Sequence, residues 1–177
     1  SVQIAAILLV QARASLLLPG GSSPQQLLPL LAAEPLEWAR VDVSPTDERW
    51  VAADAEQSNW RLLQQGLPAA ACLDPRQADS AQASASLWAD QLQARMPFAA
   101  VLLGMGEDGH IASLFPGMPG LAPALDLQAV PGAFCAQAPS EPRQRLSLNL
   151  PMLLQTQWLG LLAFGQSKKQ LIDAVLA

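Results

Sequence analysis

The 177-residue sequence has little of what metal centres and disulfide frameworks require, since it contains one histidine and two cysteines. Cys72 and Cys135 lie far apart and belong to no CxxC or Cys/His cluster, so the sequence indicates neither a zinc site nor a disulfide. We therefore expect no metal ion. Unpaired thiols of this kind are typical of a cytoplasmic protein.

Basic charge is also scarce. The chain has 10 lysines and arginines against 15 acidic residues, a net charge of −5, so it has no basic field that would hold nucleic acid or an anionic membrane. The apolar run 2–10 lacks a basic flank and is too short to cross a bilayer, so we expect a buried helix there. An acidic small molecule would need local positive charge. The sequence carries no signal of oligomeric state.

Length and composition favour a single domain over residues 1–177. Hydrophobic residues make up 51% of the chain, which is enough for a sizeable core. The sequence begins at Ser1 inside an apolar segment and stops at Ala177 inside a helical pattern. This suggests that the domain is incomplete at one or both ends.

Short apolar runs alternate with helical segments along the chain. Strands are predicted at 15–18, 39–43, 98–103, 145–150 and 158–164, the fourth half-buried because its leucines alternate with polar residues. Helices are predicted from Pro24 onward, over 78–94 and at the end of the chain, and 116–131 is predicted as a long surface loop or lid. The alternation predicts an α/β fold, Rossmann-like and doubly wound, with a mainly parallel sheet and helices on both faces.

Polar motifs follow several of these strands, at the sheet edge where such folds bind ligands. The Gly20-Gly21-Ser22-Ser23 turn precedes a helix and offers backbone N–H groups to an anion, although it could equally be a simple tight turn. Three cations, Arg49, Arg145 and Lys168, lie at or near strand ends and could bind phosphate or stabilise an oxyanion, although each taken singly is more typical of a solvated surface charge.

His110 is the most specific candidate for chemistry. It follows Gly104-x-Gly106-x-Asp108-Gly109 directly after the most buried predicted strand, and glycines there let a ligand approach closely. Asp108 could orient the imidazole or share its proton. The turn lacks the GxGxxG spacing of dinucleotide sites. No GxSxG elbow is present, and Ser113 is too near His110 in sequence to suggest a triad, so covalent serine catalysis is disfavoured.

These motifs together resemble the 6-phosphogluconolactonase family, within the group that includes glucosamine-6-phosphate isomerase and deaminase. The resemblance covers nearly the whole chain. Residues 104–116 (GMGEDGHIASLFP) resemble the most specific signature of the family, and 47–51 (DERWV) with Ser58-Asn59 resemble a second. Residues 20–24 are similar to its SGGSTP phosphate loop, 142–148 to its P-x-x-R strand and 165–168 to its G-x-x-K turn, in which Lys169 is an alternative to Lys168.

The sequence departs from the family pattern at several positions. Pro19 stands where a serine is usual, which removes a hydroxyl and an N–H, and Ser23 stands where a threonine is usual. Ser140 and Glu141 precede the Arg145 strand, where the family pattern is more basic. These departures weaken the phosphate assignment at position 19 and leave the rest of the loop intact.

The resemblance implies hydrolysis of 6-phospho-D-glucono-1,5-lactone to 6-phospho-D-gluconate, without metal or organic cofactor. A phosphorylated sugar lactone would then be the partner. His110 would be the base, Asp108 would orient it and Arg49 would stabilise charge on the substrate. The phosphate would be bound by the remaining candidates: Gly20, Gly21, Ser22, Ser23, Arg145 and Lys168.

Two alternatives remain open. A sugar-phosphate isomerase or deaminase of the same fold would share the phosphate loop, but these enzymes carry a pattern like I-A-F-N-E-P after the histidine, where this chain has IASLFP at 111–116. A non-enzymatic sugar-phosphate sensor would keep the anion loop without needing His110 or Asp108.

Overall fold

A computed structural model of the chain describes residues 2–176, apart from the side chains of Ser22 and Ser23. The helices are α1 (Val2–Val10), α2 (Ser22–Ala32), α3 (Asn59–Gly66), α4 (Ala81–Gln93), α5 (Leu121–Leu125), α6 (Leu150–Leu153) and α7 (Gln166–Leu176). The strands are β1 (Ala14–Leu18), β2 (Val41–Pro45), β3 (Asp47–Arg49), β4 (Ala71–Cys72), β5 (Ala100–Gly104), β6 (Ala133–Gln137), β7 (Gln144–Leu148) and β8 (Leu159–Leu162).

Five strands form a parallel sheet in the order β4-β2-β1-β5-β8. The chain builds outward from β1 through β2 to β4 and then returns to the other side of β1 with β5 and β8. The order therefore reverses between β1 and β5, where Leu17 pairs with Val101. In doubly wound sheets this reversal opens a crevice at the carboxyl ends of the two strands. The predicted α/β fold is confirmed.

Helices cover both faces of this sheet, and the alternation of side chains along β1 separates two cores. Leu17 packs on one face in a cluster with Trp88 of α4, whereas Leu16 and Leu18 pack on the other face with residues of α1, α2 and α3. Trp88 is fully buried and its indole N–H donates to the Ser44 hydroxyl at 3.0 Å. That bond lets a large aromatic side chain fill the core without an unsatisfied donor.

A second, antiparallel sheet of three strands, in the order β3-β7-β6, was not predicted. The strand expected at 145–150 lies in it as β7, and it is buried on both faces from Arg145 to Leu148, so the predicted half-burial is wrong. Ser147 can be buried because its hydroxyl accepts from the backbone N–H of Ser113. Segment 116–131 contains α5 and contributes Met118 and Ala124 to the core, so it is not only a surface loop.

The other predicted strands and helices differ from the structure mainly at their ends. The strand expected at 39–43 begins at Val41 because Trp38–Arg40 forms a 3-10 turn. Helix α2 begins at Ser22, two residues before Pro24, which is tolerated because N–H groups of the first turn have no partner within the helix. Helix α1 is only partly buried, with Val10 exposed. Between residues 2 and 176 no helix has the length and apolar character to cross a membrane.

Candidate active site

A cleft of about 290 Å³ lies at the carboxyl ends of β1 and β5, where the strand order reverses. The loops after β1 and β5, strands β3 and β7, and the start of α7 all border it. Its lining includes six of the residues predicted from sequence: Gly20, Gly21, Arg49, His110, Arg145 and Lys168. The predicted convergence of the polar loops at one end of the sheet is therefore confirmed.

His110 is held at the cleft by a tight turn. Its Nδ1 lies 2.5 Å from Oδ1 of Asp108, which leaves Nε2 as the ring nitrogen that Asp108 does not engage, and the ring packs 4.4 Å from that of Phe115. A Cβ at Gly106 would lie 2.2 Å from the imidazole, so only glycine lets the ring fold back against the turn. Burial acts to raise the pKa of Asp108, but its bonds to His110 outweigh burial and the pKa is lowered. Asp108 thus presents a carboxylate to the imidazole.

Two arginines face each other beside this turn. Arg49 of β3 and Arg145 of β7 are directly paired in the antiparallel ladder and both line the cleft. Their side chains are held by local bonds, with Arg49 Nη1 donating to the Gln57 carbonyl and Arg145 Nε to the Pro142 carbonyl at 2.6 Å. Burial and the charge of Arg49 lower the pKa of Arg145. Because like charges in this position repel, the pair is suited to bind an anion.

Lys168 supplies a third cation from the first turn of α7. Its side chain is only 14% exposed, and its Nζ lies 3.4 Å from Oε1 of Glu107 in the His110 turn. Glu107 also accepts a hydrogen bond from the Ser167 hydroxyl, which is the main reason that its pKa is lowered. Lys169 does not line the cleft and pairs with Asp173. The structure therefore brings Lys168, and not Lys169, into the cleft.

The glycine turn after β1 ends at the N-terminus of α2. Gly21 caps the helix with φ +96°, a left-handed conformation that favours glycine, and it lines the cleft with Pro24, so the positive end of the helix dipole borders the cleft. A Cβ at Gly20 would lie 1.8 Å from Oδ1 of Asn59, so glycine is required there by close packing. The predicted side-chain contacts of Ser22 and Ser23 lie outside the described residues.

Three further polar residues had no role assigned from the sequence, although they belong to the quoted motif at 47–51 and 58–59. Asp47 and Asn59 line the cleft, and the Asn59 amide N–H₂ donates to the Asp47 carbonyl at 2.8 Å. Glu48 lies beneath them, fully buried, and accepts from the backbone N–H groups of Arg49, Asn59 and Trp60. Burial raises the pKa of Glu48, and these three bonds oppose that effect. Glu48 thus holds β3 to the start of α3.

Ser113 lies inside the protein, three residues after His110. Its hydroxyl donates to Oδ2 of Asp47 at 2.6 Å and its N–H donates to the Ser147 hydroxyl at 3.1 Å. Ala112, immediately before it, has φ +47°, the only non-glycine residue with positive φ in the described part of the chain. A left-handed alanine is strained and persists only where surrounding contacts hold it. Here the bonds of Ser113 hold the turn together with the backbone bond from the Leu114 N–H to the Ile111 carbonyl.

The assembled cleft combines one imidazole with an attached carboxylate, three cations and a helix N-terminus. This set can bind a dianion at the cations and transfer a proton at Nε2 of His110. No three His, Cys, Asp or Glu side chains between residues 2 and 176 are grouped so that they could hold a metal ion.

Comparison with known proteins places this cleft in context. The family model described as glucosamine-6-phosphate isomerases/6-phosphogluconolactonase matches residues 2–177. A 6-phosphogluconolactonase of Pseudomonas putida is 40% identical over 99% of this chain and 75% of its own length. One from Pseudomonas aeruginosa is 39% identical over 94% of this chain and 73% of its own length. The crystal structure of a 6-phosphogluconolactonase from Shewanella baltica superimposes with a TM-score of 0.90 at 32% identity, covering 99% of this chain and 77% of that one.

Proposed function

Because this chain belongs to the glucosamine-6-phosphate isomerase/6-phosphogluconolactonase family, we propose that it hydrolyses 6-phospho-D-glucono-1,5-lactone to 6-phospho-D-gluconate. The observation that carries the proposal is the meeting of the His110–Asp108 pair with Arg49, Arg145 and Lys168 in one cleft. A phosphorylated lactone has a dianion for the cations and an electrophilic carbonyl for a water that the imidazole activates.

In the proposed complex the phosphate binds between Arg145, Lys168 and the N-terminus of α2 beyond Gly20 and Gly21. Burial lowers the pKa of Arg145, but the pKa of an arginine starts so far above neutral pH that the side chain remains a cation. The charge-assisted bonds anchor the sugar and leave the ring carbonyl to the other side of the cleft. Arg49, the cross-strand partner of Arg145, is then placed to stabilise negative charge on the carbonyl oxygen.

The chemical step needs one proton carrier. His110 Nε2 accepts a proton from water as the water oxygen bonds to C1 of the lactone, and negative charge collects on the carbonyl oxygen. The C1–O5 bond then breaks, and the imidazolium returns the proton to O5, which becomes the 5-hydroxyl of the acid. Asp108 holds the ring through Nδ1 and stabilises its protonated form, as a carboxylate paired with histidine does in other hydrolases.

An isomerase or deaminase is the nearest alternative, and the residues after His110 argue against it. Where such enzymes place a glutamate in the I-A-F-N-E-P pattern, this chain has Phe115, whose ring packs on His110. The chain therefore lacks, at this position, the acid that would serve as a proton shuttle in sugar isomerisation. A sensor without catalysis would have no use for the His110–Asp108 pair.

The decisive experiment follows acid release from freshly prepared 6-phosphogluconolactone at constant pH, corrected for spontaneous opening without enzyme. Glucosamine 6-phosphate and fructose 6-phosphate with ammonia serve as the competing substrates. We expect lactone hydrolysis and no interconversion of the sugar phosphates. Turnover of the sugar phosphates without lactone hydrolysis would contradict the proposal.

We place the enzyme in the cytoplasm, where Cys72 and Cys135 would stay reduced.

A further inference from the structure

Ser113 does not line the cleft, yet it sits at the junction of the two sheets. It belongs to the turn that follows β5 of the parallel sheet, and both of its bonds run to the antiparallel sheet. Its partners, Asp47 of β3 and Ser147 of β7, are directly paired in that ladder. The hydroxyl and the backbone N–H of Ser113 thus donate hydrogen bonds to the two members of one cross-strand pair.

The next pair on the same face of the ladder is the pair of arginines. Side chains alternate between the two faces of a strand, so Asp47 and Arg49 share a face of β3, as Ser147 and Arg145 share a face of β7. Two residues along a strand span roughly 7 Å. Ser113 therefore bonds to the cross-strand pair that lies next to the arginine pair on the same face of the sheet. His110 is three residues from Ser113 in the chain.

We propose that Ser113 is a positioning residue that sets where His110 stands relative to Arg49 and Arg145. The inference rests on the proposed function, because it concerns the geometry of that reaction. The imidazole is carried by the turn that follows β5 of the parallel sheet and the arginines lie in the antiparallel sheet, so the Ser113 bonds directly connect the two halves of the site. Ala112, at φ +47°, lies between the buried Ser113 and the cleft-lining His110, and the Ser113 bonds help to hold this strained turn.

Loss of the tie should reduce catalysis more than binding. Ser113→Ala removes the hydroxyl bond to Asp47, and the His110 turn can then relax toward an unstrained conformation. A displacement of about 1 Å in a catalytic group costs on the order of 10²-fold in rate, so we expect kcat to fall about tenfold to a hundredfold. The phosphate contacts are untouched, and KM should change by less than about threefold. His110 acts in the same step, so in a His110→Asn background the same substitution should change kcat by less than about twofold.

Ser84→Ala is the matched control. Ser84 is as fully buried as Ser113, and its hydroxyl makes three hydrogen bonds, to the N–H groups of Gln77 and Ala78 and to the Ala78 carbonyl. Removal of the Ser84 hydroxyl should lower the melting temperature, because buried hydrogen bonds are lost, and should leave kcat unchanged. If Ser113→Ala fails to fold, Ser147→Ala carries the same test, since it removes the second bond of the tie.

The test measures kcat and KM on the phosphorylated lactone for wild type, Ser113→Ala, His110→Asn, the double variant and Ser84→Ala. A loss in Ser113→Ala that vanishes in the His110→Asn background supports the inference. A kcat within about twofold of wild type overturns it, and so does an equal loss in both backgrounds, because Ser113 would then act independently of His110. Wild-type protein without lactonase activity would overturn the proposed function, and the inference with it.

Discussion

Arg49 and Arg145 lie directly opposite each other in the β3–β7 ladder, two like charges at a position where opposite charges normally pair. Repulsion between the two arginines costs about 0.2–1 kcal/mol of stability in the free protein. An anion bound in the cleft would attract both side chains and make the arrangement favourable. Arg145→Gln should therefore raise the KM of the phosphorylated lactone roughly tenfold to a hundredfold, the loss of about 1.5–3 kcal/mol for a charge-assisted bond. The free energy of unfolding should fall by less than that, because relief of the repulsion between the two arginines offsets part of the loss of the bond from Arg145 to the Pro142 carbonyl.

Steady-state kinetics on 6-phosphogluconolactone and on unphosphorylated gluconolactone, with urea unfolding of both proteins, would measure this. Arg143→Gln is the control, since Arg143 is 64% exposed and pairs with Glu141 on the surface. Equal losses of Arg145→Gln on the two substrates would show that Arg145 does not bind the phosphate.

Lys168 and Lys169 offer a test within one turn of helix. Lys168 lines the cleft, whereas Lys169 is 64% exposed and pairs with Asp173. Lys168→Ala should raise KM for the phosphorylated substrate about tenfold or more, and Lys169→Ala should leave it within about twofold of wild type, because exposed pairs contribute little. Competitive inhibition by inorganic phosphate gives a second readout. A larger effect at Lys169 would mean that the assignment is reversed.

His110→Asn tests the proton carrier. The substitution keeps a similar shape at the turn while removing a base, and general-base catalysis contributes about 10²–10⁴-fold in rate. We expect kcat to fall by about that factor with a smaller change in KM, since binding rests on the phosphate contacts. Each rate must be corrected against an enzyme-free control at the same pH. Corrected turnover within about twofold of wild type would exclude His110 as the base.

Much of this architecture could be predicted from the sequence, because the strands of the parallel sheet are apolar runs that end in glycine-containing or acidic loops. His110 and Asp108 were identifiable for the same reason, since the glycine spacing around them is local. The carboxyl ends of parallel strands meet at one edge, so the joint placement of Gly20, Arg49 and Lys168 followed as well.

What could not be predicted depends on contacts between distant residues. Strand β3 is three residues long and polar, and it pairs with β7 about a hundred positions later in the chain. The hydroxyl of Ser113 meets Asp47 across 66 residues. Periodicity within a window of 11–18 residues carries no information on such pairs. The motif at 47–51 signalled that these residues matter, but not that Asp47 receives Ser113.

Cys72 should be a poor nucleophile at neutral pH. Burial raises the pKa of its thiol to about 11, against roughly 8.5 in an unfolded chain. At pH 8 only about one molecule in a thousand would carry the thiolate, so iodoacetamide should label folded Cys135→Ser protein far more slowly than the same protein in urea. Mass spectrometry over time measures this. A raised thiol pKa also means that the contribution of Cys72 to stability is present below about pH 8.5 and is lost as the pH rises toward 11.

Activity should survive strong chelators. One histidine and two separated cysteines supply too few ligands for a metal, and the proposed step needs only an imidazole and fixed cations. Dialysis against EDTA should leave kcat unchanged within about twofold. Loss of activity that a divalent metal restores would contradict the mechanism.

The contact between Gly20 and Asn59 has an evolutionary consequence. A Cβ at position 20 would overlap Oδ1 of Asn59 at 1.8 Å, so any other residue at 20 is incompatible with the asparagine that stands there. Asn59 in turn donates to Asp47, so a smaller residue at 59 would lose that bond. A single substitution at either position alone should therefore destabilise the protein. In related sequences we therefore expect positions 20 and 59 to be inherited as a unit, and any departure from glycine at 20 to be found only where 59 has already changed.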